Sequence, residues 1–252
     1  MHKQIQEKNM LIINADDWGR NKTTTDNSLV CFKNGRITSV SAMVFMEDSQ
    51  RSAELALEHG LDAGLHLNFT SKFNQNIISS KLLECQQRIT AFLQKNKYYF
   101  LFYNPILKGE FHYVFNAQYE EYIRLYHKKP THIDGHHHMH LCTNVLLQRL
   151  IPRGSKVRRN FSFTLGEKSM INRLYRSFMD RWLQRRCQCT DFFFSIEPMH
   201  KSDRLRGIVE LSLVHNVELM VHPEKQDEYR YLLSTEYMEI IRNKKTGSFR
   251  TL

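Results

Sequence analysis

Over its first 67 residues the chain alternates short apolar runs with stretches of helical spacing, and this pattern most narrows the folds open to it. Residues 10–15 have the pattern of a buried strand, and 23–34 show helical spacing through Leu29, Val30 and Phe32, closed by Gly35 as a left-handed cap. Residues 37–45 read as a second strand, 49–59 as a helix ended by Gly60, and 62–67 as a third strand. A β-α-β-α-β order calls for a parallel sheet, because each crossover helix returns the chain to the same end. Farther along, helices are expected over 118–128, 143–151 and 202–215, and extended segments over 130–134 and 217–221. No repeat or low-complexity linker divides the 252 residues, and 41% hydrophobic content suffices for one large core. A single α/β domain over 1–252 is therefore expected, its sheet open or closed into a barrel.

In parallel α/β folds, sites gather at the carboxyl ends of strands, where loops from several strands converge. Four chemically loaded segments fall at that end: Asp16-Asp17, His66, the run Asp134-Gly135-His136-His137-His138-Met139-His140, and His222. Taken singly, each has an ordinary structural explanation, the aspartates as helix caps and His66 as a satisfied buried histidine. Together they suit a divalent cation held by one carboxylate and two imidazoles, with positions left open for water and a substrate oxygen. Along an extended segment side chains alternate, so Asp134, His136, His138 and His140 would share one face and His137 the other. His136, the first after the strand, is the expected ligand. His138 is expected to orient a ligand or touch substrate, and His140 to begin the next helix. A surface metal-storage tract is the weaker reading for so short a run.

Adjacent aspartates suit a division of labour in which one binds the cation and the other accepts a proton from the water that the cation acidifies. Such a site attacks a carbonyl, and an acid must then protonate the departing amine. His222 is placed for that role, although a strand-end histidine held by neighbouring backbone is an equal alternative. Asn14, Asn68 and Asp134 are the remaining polar neighbours expected to support the site or meet substrate.

Lys and Arg outnumber Asp and Glu by ten, with the densest basic stretches at 149–159 and 168–186. In the second, Arg173, Arg176, Arg181, Arg185 and Arg186 interleave with Leu174, Phe178, Trp182 and Leu183 as on an amphipathic helix with a solvated basic face. No nucleic-acid motif accompanies the charge, so no specific nucleic-acid partner is expected. With no export signal and no membrane span, a cytoplasmic protein with five reduced cysteines is expected. Residues 71–115 lack clear patterning and contain Tyr98, Tyr99, Phe100, Phe102, Tyr103, Phe111, Tyr113 and Phe115. They are read as an irregular aromatic insertion, either a sugar-stacking lid or, more commonly for such residues, part of the core.

The chain resembles the YdjC-like carbohydrate deacetylase family. Ile13-Asn14-Ala15-Asp16-Asp17-Trp18-Gly19, Gly35-Arg36-Ile37-Thr38-Ser39-Val40, Gly64-Leu65-His66-Leu67-Asn68, Lys129-Pro130-Thr131-His132-Ile133-Asp134-Gly135-His136-His137-His138 and Glu218-Leu219-Met220-Val221-His222-Pro223 occur in the family's order. The resemblance implies a distorted, TIM-like (β/α) barrel, metal ligands Asp17, His66 and His136, and Asp16 as the base. It also implies a divalent ion, usually Mg²⁺, with Zn²⁺, Co²⁺ or Ni²⁺ as alternatives, and an N-acetylated sugar or oligosaccharide as substrate. Gly135 stands where serine is common, Glu224 where glycine is frequent, and Phe194-Ser195 lacks the family's glycine, all on the substrate side. Competing readings are metal-dependent phosphoester hydrolysis, which usually needs more carboxylates for a second ion, and a non-catalytic glycan-binding protein, which would have no need of a free base beside its ligand. A homodimer is the default assembly for such an enzyme.

Overall fold

The computed structural model describes residues 9–162, 170–198 and 202–252. Its centre is β1 (Met10–Trp18), nine residues that are all buried. Leu11, Ile12 and Ile13 have no polar side to offer water, so the strand must be covered on both faces, as in parallel sheets flanked by helices. β2 (Ser39–Ala42), β3 (Ala63–Leu67), β4 (Ile133–Gly135), β5 (Phe192–Ser195) and β6 (Asn216–Val221) complete a path ordered β4-β3-β2-β1-β6-β5. Every pairing along it is parallel. The short β7 (Thr246–Gly247) pairs with the start of β1. The result is a parallel α/β fold in one domain, its six-stranded sheet curled into a half-barrel.

The edges of that curl are joined by backbone outside the regular strands. The Ile133 N–H donates to the Lys156 carbonyl at 2.9 Å and the Arg158 N–H to the Ile133 carbonyl at 3.2 Å. On the other side the Val157 N–H reaches the Gln188 carbonyl at 2.8 Å and the Ser162 N–H the Phe193 carbonyl at 2.8 Å. Residues 156–162 thus run between β4 and β5 and carry Arg158 into the middle of the fold.

The helices follow local signals where those are strong. α1 (Lys22–Lys33) begins at Asn21, whose side chain accepts from the Thr24 N–H, and is followed by Gly35 at φ +67°. α2 (Ser49–Glu58) ends before Gly60 at φ +65°. β1 extends three residues past its expected end because Asp16, Asp17 and Trp18 are buried with it, across a register irregularity between Ala15 and Trp18.

Residues 71–115 are not an irregular insertion. They hold α3 (Ser80–Gln94), capped by Ser79, and the first part of α4 (Lys108–Tyr126), which packs against it. Phe111 and Phe115 of α4 are buried and Phe100 and Tyr113 pack against the core, whereas Tyr98, Phe102 and Tyr103 are exposed, so only part of the aromatic segment is core. Tyr122 and Tyr126 stack at 4.3 Å, and the Tyr122 hydroxyl donates to the Ala63 carbonyl at 2.7 Å, which ties α4 to β3.

α5 is short (Thr143–Leu147), and α6 (Met170–Gln184), α7 (Ser202–Leu211), α8 (Gln226–Leu232) and α9 (Thr235–Ile241) complete the layer. On α6, Leu183 is buried and Trp182 packs against the core, but Leu174 and Phe178 are 65% and 66% exposed. The expected apolar face is therefore only half inward; the Arg173 side chain lies outside the described residues. All five cysteines are free thiols. Among the described residues no helix is long and apolar enough to cross a membrane.

Candidate metal centre

Asp17 leaves β1 at φ +64°, a left-handed conformation that few non-glycine residues adopt. Alternation along a strand would turn Asp16 and Asp17 to opposite faces, and this break in it leaves both facing the same site. Asp17 Oδ1 lies 3.3 Å from His66 Nε2 and 2.8 Å from His136 Nδ1, and all three residues are buried. Their ligand atoms fall within 4.8 Å of one another. Asp17 Oδ1 nevertheless has no hydrogen-bond partner. A buried carboxylate oxygen facing two imidazole nitrogens without a well-aligned hydrogen bond is what a cation would satisfy, and two imidazoles with one carboxylate suit a divalent ion.

The tautomer of His66 is set behind it. Asp134 Oδ1 accepts from His66 Nδ1 at 2.8 Å, which leaves the Nε2 lone pair of the neutral ring facing Asp17. Asp134 Oδ2 in turn accepts from Ser41 Oγ at 2.7 Å, and Asn14 Nδ2 donates to Ser41 Oγ at 2.7 Å and to Asp16 Oδ1 at 3.0 Å. Asn14 and Asp134 thus form the layer beneath the centre. Gly64 allows this layer to close, because a Cβ there would stand 2.3 Å from the His132 ring.

The residue that the sequence did not reveal is Arg158. Its guanidinium, 0% exposed, forks onto Asp16 at 2.6 and 2.7 Å, and reaches Asp134 at 2.8 Å and Glu218 at 2.6 Å. It also lies 4.8 Å from the centroid of the Phe193 ring. One guanidinium so placed pairs with carboxylates from three strands and offsets part of their charge. Burial pushes Glu218 up to about 7 even beside Arg158, whereas at Asp134 burial is outweighed by Arg158 and His66, which hold it far below the usual carboxylate range. Arg158 lies in the basic stretch 149–159, in which the sequence singles out no residue, and the one hint of burial is Val157 beside it, an apolar residue in a polar run.

The histidine run does not follow strand alternation. Residues His136–Leu141 form a 3-10 turn in which His137 and His138 take φ values of +52° and +59°. His136 turns toward Asp17, while His137 is exposed and pairs with Thr70 Oγ1 at 3.0 Å. His138 borders the cavity but packs edge-on against Phe161 at 4.5 Å, and burial then Arg158 hold its basicity well below the ordinary histidine value. His140 lies in the turn rather than in the next helix, its Nε2 3.0 Å from the Arg158 carbonyl. Asn68 stays within its own loop: its side chain accepts from the Thr70 and Ser71 N–H groups and donates to the Ser71 carbonyl.

His222 Nε2 stands 4.0 Å from Asp16 Oδ2, and its backbone N–H donates to Glu228 at 2.7 Å. Glu224 pairs with Arg20 at 3.1 Å, and Arg20 also reaches Asp17 Oδ2 at 3.3 Å. His222, Glu224, Arg20 and Lys225 border a cavity of about 330 Å³ together with Asp16, Asp17, His66, His136, His137 and His138.

Burial alone would push the His66 imidazolium down, but the charges of Asp134 and Asp16, the bond to Asp134 and the nearby Asp17 carboxylate raise it to about 10. Since that value is above the unfolded one, His66 stabilises the ion-free protein fully below pH 6.5 and loses this contribution as pH rises toward about 10. A cation must displace the same proton. Zn²⁺ titration in buffers of different ionisation enthalpy is expected to show about one proton released per ion, with affinity rising from pH 7 to pH 9. Affinity that is flat over that range overturns the ligand assignment of His66.

A family model described as YdjC-like protein matches residues 10–243. A carbohydrate deacetylase of Clostridium beijerinckii is 25% identical over 255 residues, covering 95% of this chain and 94% of that protein. A chitooligosaccharide deacetylase of Proteus mirabilis is 30% identical over 133 residues, 52% of this chain and 50% of its own length. Among solved structures, a protein of Enterococcus faecalis V583 described as a cellobiose-phosphate cleavage protein superposes with a TM-score of 0.68 at 18% identity, over 96% of this chain and 98% of that one. At that identity the likeness is one of fold.

Proposed function

This chain belongs to the YdjC-like protein family, and we propose that it is a metal-dependent hydrolase that removes acetyl groups from N-acetylated sugars. The observation that carries the reading is the convergence of Asp17, His66 and His136 around an unpartnered buried carboxylate oxygen, with Asp16 fixed beside them. Relatives named carbohydrate deacetylase and chitooligosaccharide deacetylase support the acyl group and the substrate class. The curled sheet, joined at its edges by residues 156–162, supports reading the fold as a distorted (β/α) barrel.

Asp17, His66 and His136 would hold a divalent ion, which supplies the charge that acidifies a water and polarises an acyl carbonyl. Asp16 accepts the proton. Arg158 and Asn14 take both lone pairs of Asp16 Oδ1, while Oδ2 accepts from Arg158 alone and keeps one lone pair for the proton, so the fork fixes the direction of the carboxylate without blocking transfer. His222, facing Asp16 Oδ2 at 4.0 Å across the cavity, gives a proton to the departing amine. Asp134 keeps His66 in the tautomer that presents Nε2. Mg²⁺ favours oxygen ligands and would retain several waters here, whereas two imidazoles suit Zn²⁺, Co²⁺ or Ni²⁺.

A two-ion phosphoesterase is disfavoured by what fills the second acidic cluster. Asp16, His66 and Asp134 also come together, but the Arg158 guanidinium binds both of those carboxylates. The test is acetate release from N-acetylated mono- and oligosaccharides by chain stripped of metal and reloaded with Mg²⁺, Zn²⁺, Co²⁺ or Ni²⁺. Release that requires an ion is expected. No release from any sugar with any ion, from protein that binds the ion, would leave a glycan-binding protein as the reading.

A further inference from the structure

α5 and α6 meet along an open groove of about 380 Å³, lined mainly by Leu101, Leu146, Leu147, Phe178, Met179 and Trp182. Leu147 at its rim is 58% exposed, and on α6 Leu174 and Phe178, one helical turn apart, stand out into solvent. We propose that this face docks on a membrane containing anionic lipids, with Leu147, Leu174 and Phe178 entering the lipid surface and Arg181 and Arg185 pairing with lipid phosphates. Such docking is independent of the chemistry at the metal centre.

Helical geometry puts apolar and basic groups on one outward stripe. Leu174, Phe178 and Arg181 follow at intervals of four and three residues and so share a face of α6, with Arg185 just past its end, and all four are exposed. Leu183, buried, and Trp182, packed against the core, mark the inner side. The one carboxylate of α6, Asp180, is buried and pairs with Arg159 at 2.7 Å, so it does not offset the arginines. Residues 135–155, which supply the opposite wall, contain no Asp or Glu and add the exposed Arg149 and Arg153. A protruding apolar stripe joined to arginines is the pattern of a helix lying in the plane of a membrane interface. There the hydrocarbon enters while the long basic side chains keep their charge at phosphate depth.

Charge also decides between occupants. A symmetric pair of chains would bring two sets of arginines onto one interface, where like charges repel. A lipid surface offers phosphates beside hydrocarbon throughout, and so matches both parts of the stripe. The neighbouring segment continues the pattern: Phe102, next to Leu101, is 61% exposed, and Lys97 lies over the Tyr98 ring at 5.0 Å. That segment is fixed to α5, since Thr143 Oγ1 donates to the Leu101 carbonyl at 2.8 Å and the Asn104 N–H to Asn144 Oδ1 at 2.9 Å. Apolar groups spread over three segments suit a surface rather than one bound peptide. The His136–Leu141 turn leads through Cys142 into α5, so a membrane on this face lies beside the histidine turn of the metal centre.

Co-sedimentation of the full chain with vesicles of phosphatidylcholine, pure or with about one-third phosphatidylglycerol, reads the face directly. Binding to the anionic vesicles is expected, weakening as salt rises, with roughly tenfold or more weaker binding to pure phosphatidylcholine. Arg181→Gln with Arg185→Gln should weaken it roughly twentyfold at low salt, from about fivefold per charge. Leu174→Ser with Phe178→Ser should weaken it roughly tenfold or more at any salt, and because both side chains are exposed the melting temperature should hold. Lys33→Gln with Arg230→Gln makes the same charge change on α1 and α8 and should leave binding within about twofold. No binding to anionic vesicles, an equal loss in the α1 and α8 variant, or binding that survives the serine pair overturns membrane docking. So does a monomer–dimer equilibrium in sedimentation velocity that the serine pair abolishes, which would assign the face to a second copy of the chain.

Discussion

Acetate release is expected to fall roughly 10²–10⁴-fold in Asp16→Asn, the range that a positioned general base contributes, with ion binding retained. The substitution keeps the shape of the side chain and removes its ability to take a proton. It also has a structural consequence that the geometry makes specific. Asp16 accepts from Arg158 through both oxygens and from Asn14 through Oδ1. An asparagine can keep only one of those accepting atoms, and its amide nitrogen must then face a guanidinium N–H. That conflict costs about 1–3 kcal/mol, so the variant should melt lower yet stay folded. Kinetics and a melting curve on the same preparation separate the two effects. Turnover within a factor of ten of the unmodified chain would remove Asp16 from the chemistry, whatever the melting temperature does.

Arg158→Met is expected to cost about 3–5 kcal/mol at pH 7, because it leaves buried Asp16, Asp134 and Glu218 without their shared cation. The loss has a definite pH dependence. Without the guanidinium, these carboxylates in the folded variant bind protons more tightly than in the unfolded chain. Where the folded state binds more protons, stability rises as pH falls, so the gap to the unmodified protein should narrow between pH 7 and pH 5. Urea unfolding at the two pH values measures it. A penalty below about 1 kcal/mol, or one that widens at the lower pH, would show that Arg158 is not neutralising this cluster. Arg158→Lys should recover part of the stability and little of the turnover, since an ammonium supplies charge without the fork that directs Asp16.

Much of the fold was legible because its signals are local. Apolar runs at 10–15 and 62–67, and Gly35 and Gly60 after helical spacing, report on bonds made within a few residues. The two helices of 71–115 were missed for the opposite reason. The buried positions of α3 and α4 do keep helical spacing, but Gln86 and Gln118 stand among them, satisfied by the backbone of Asn68, Ser71 and Phe73, and polar residues on a buried face hide the apolar stripe. α6 shows the same limit from the other side. Its spacing is amphipathic, yet Leu174 and Phe178 remain exposed, since spacing states which residues share a face and not whether anything covers it.

At the site, the chain by itself determined that Asp16, Asp17, His66, His136 and His222 would meet, because a parallel alternation places every strand's carboxyl end on one side of the sheet. Which atoms face one another was decided by the tertiary structure. Left-handed backbone at Asp17, His137 and His138 breaks the alternation from which side-chain direction is read. Arg158 arrives 142 residues after Asp16 on a segment held by the two edges of the curled sheet, and its isolation from water follows from three carboxylates that no neighbouring residue supplies. Backbone pattern is a property of adjacent residues, whereas the neutralisation of buried charge depends on everything the fold brings within a few ångströms, so the first can be read along the chain and the second only in space.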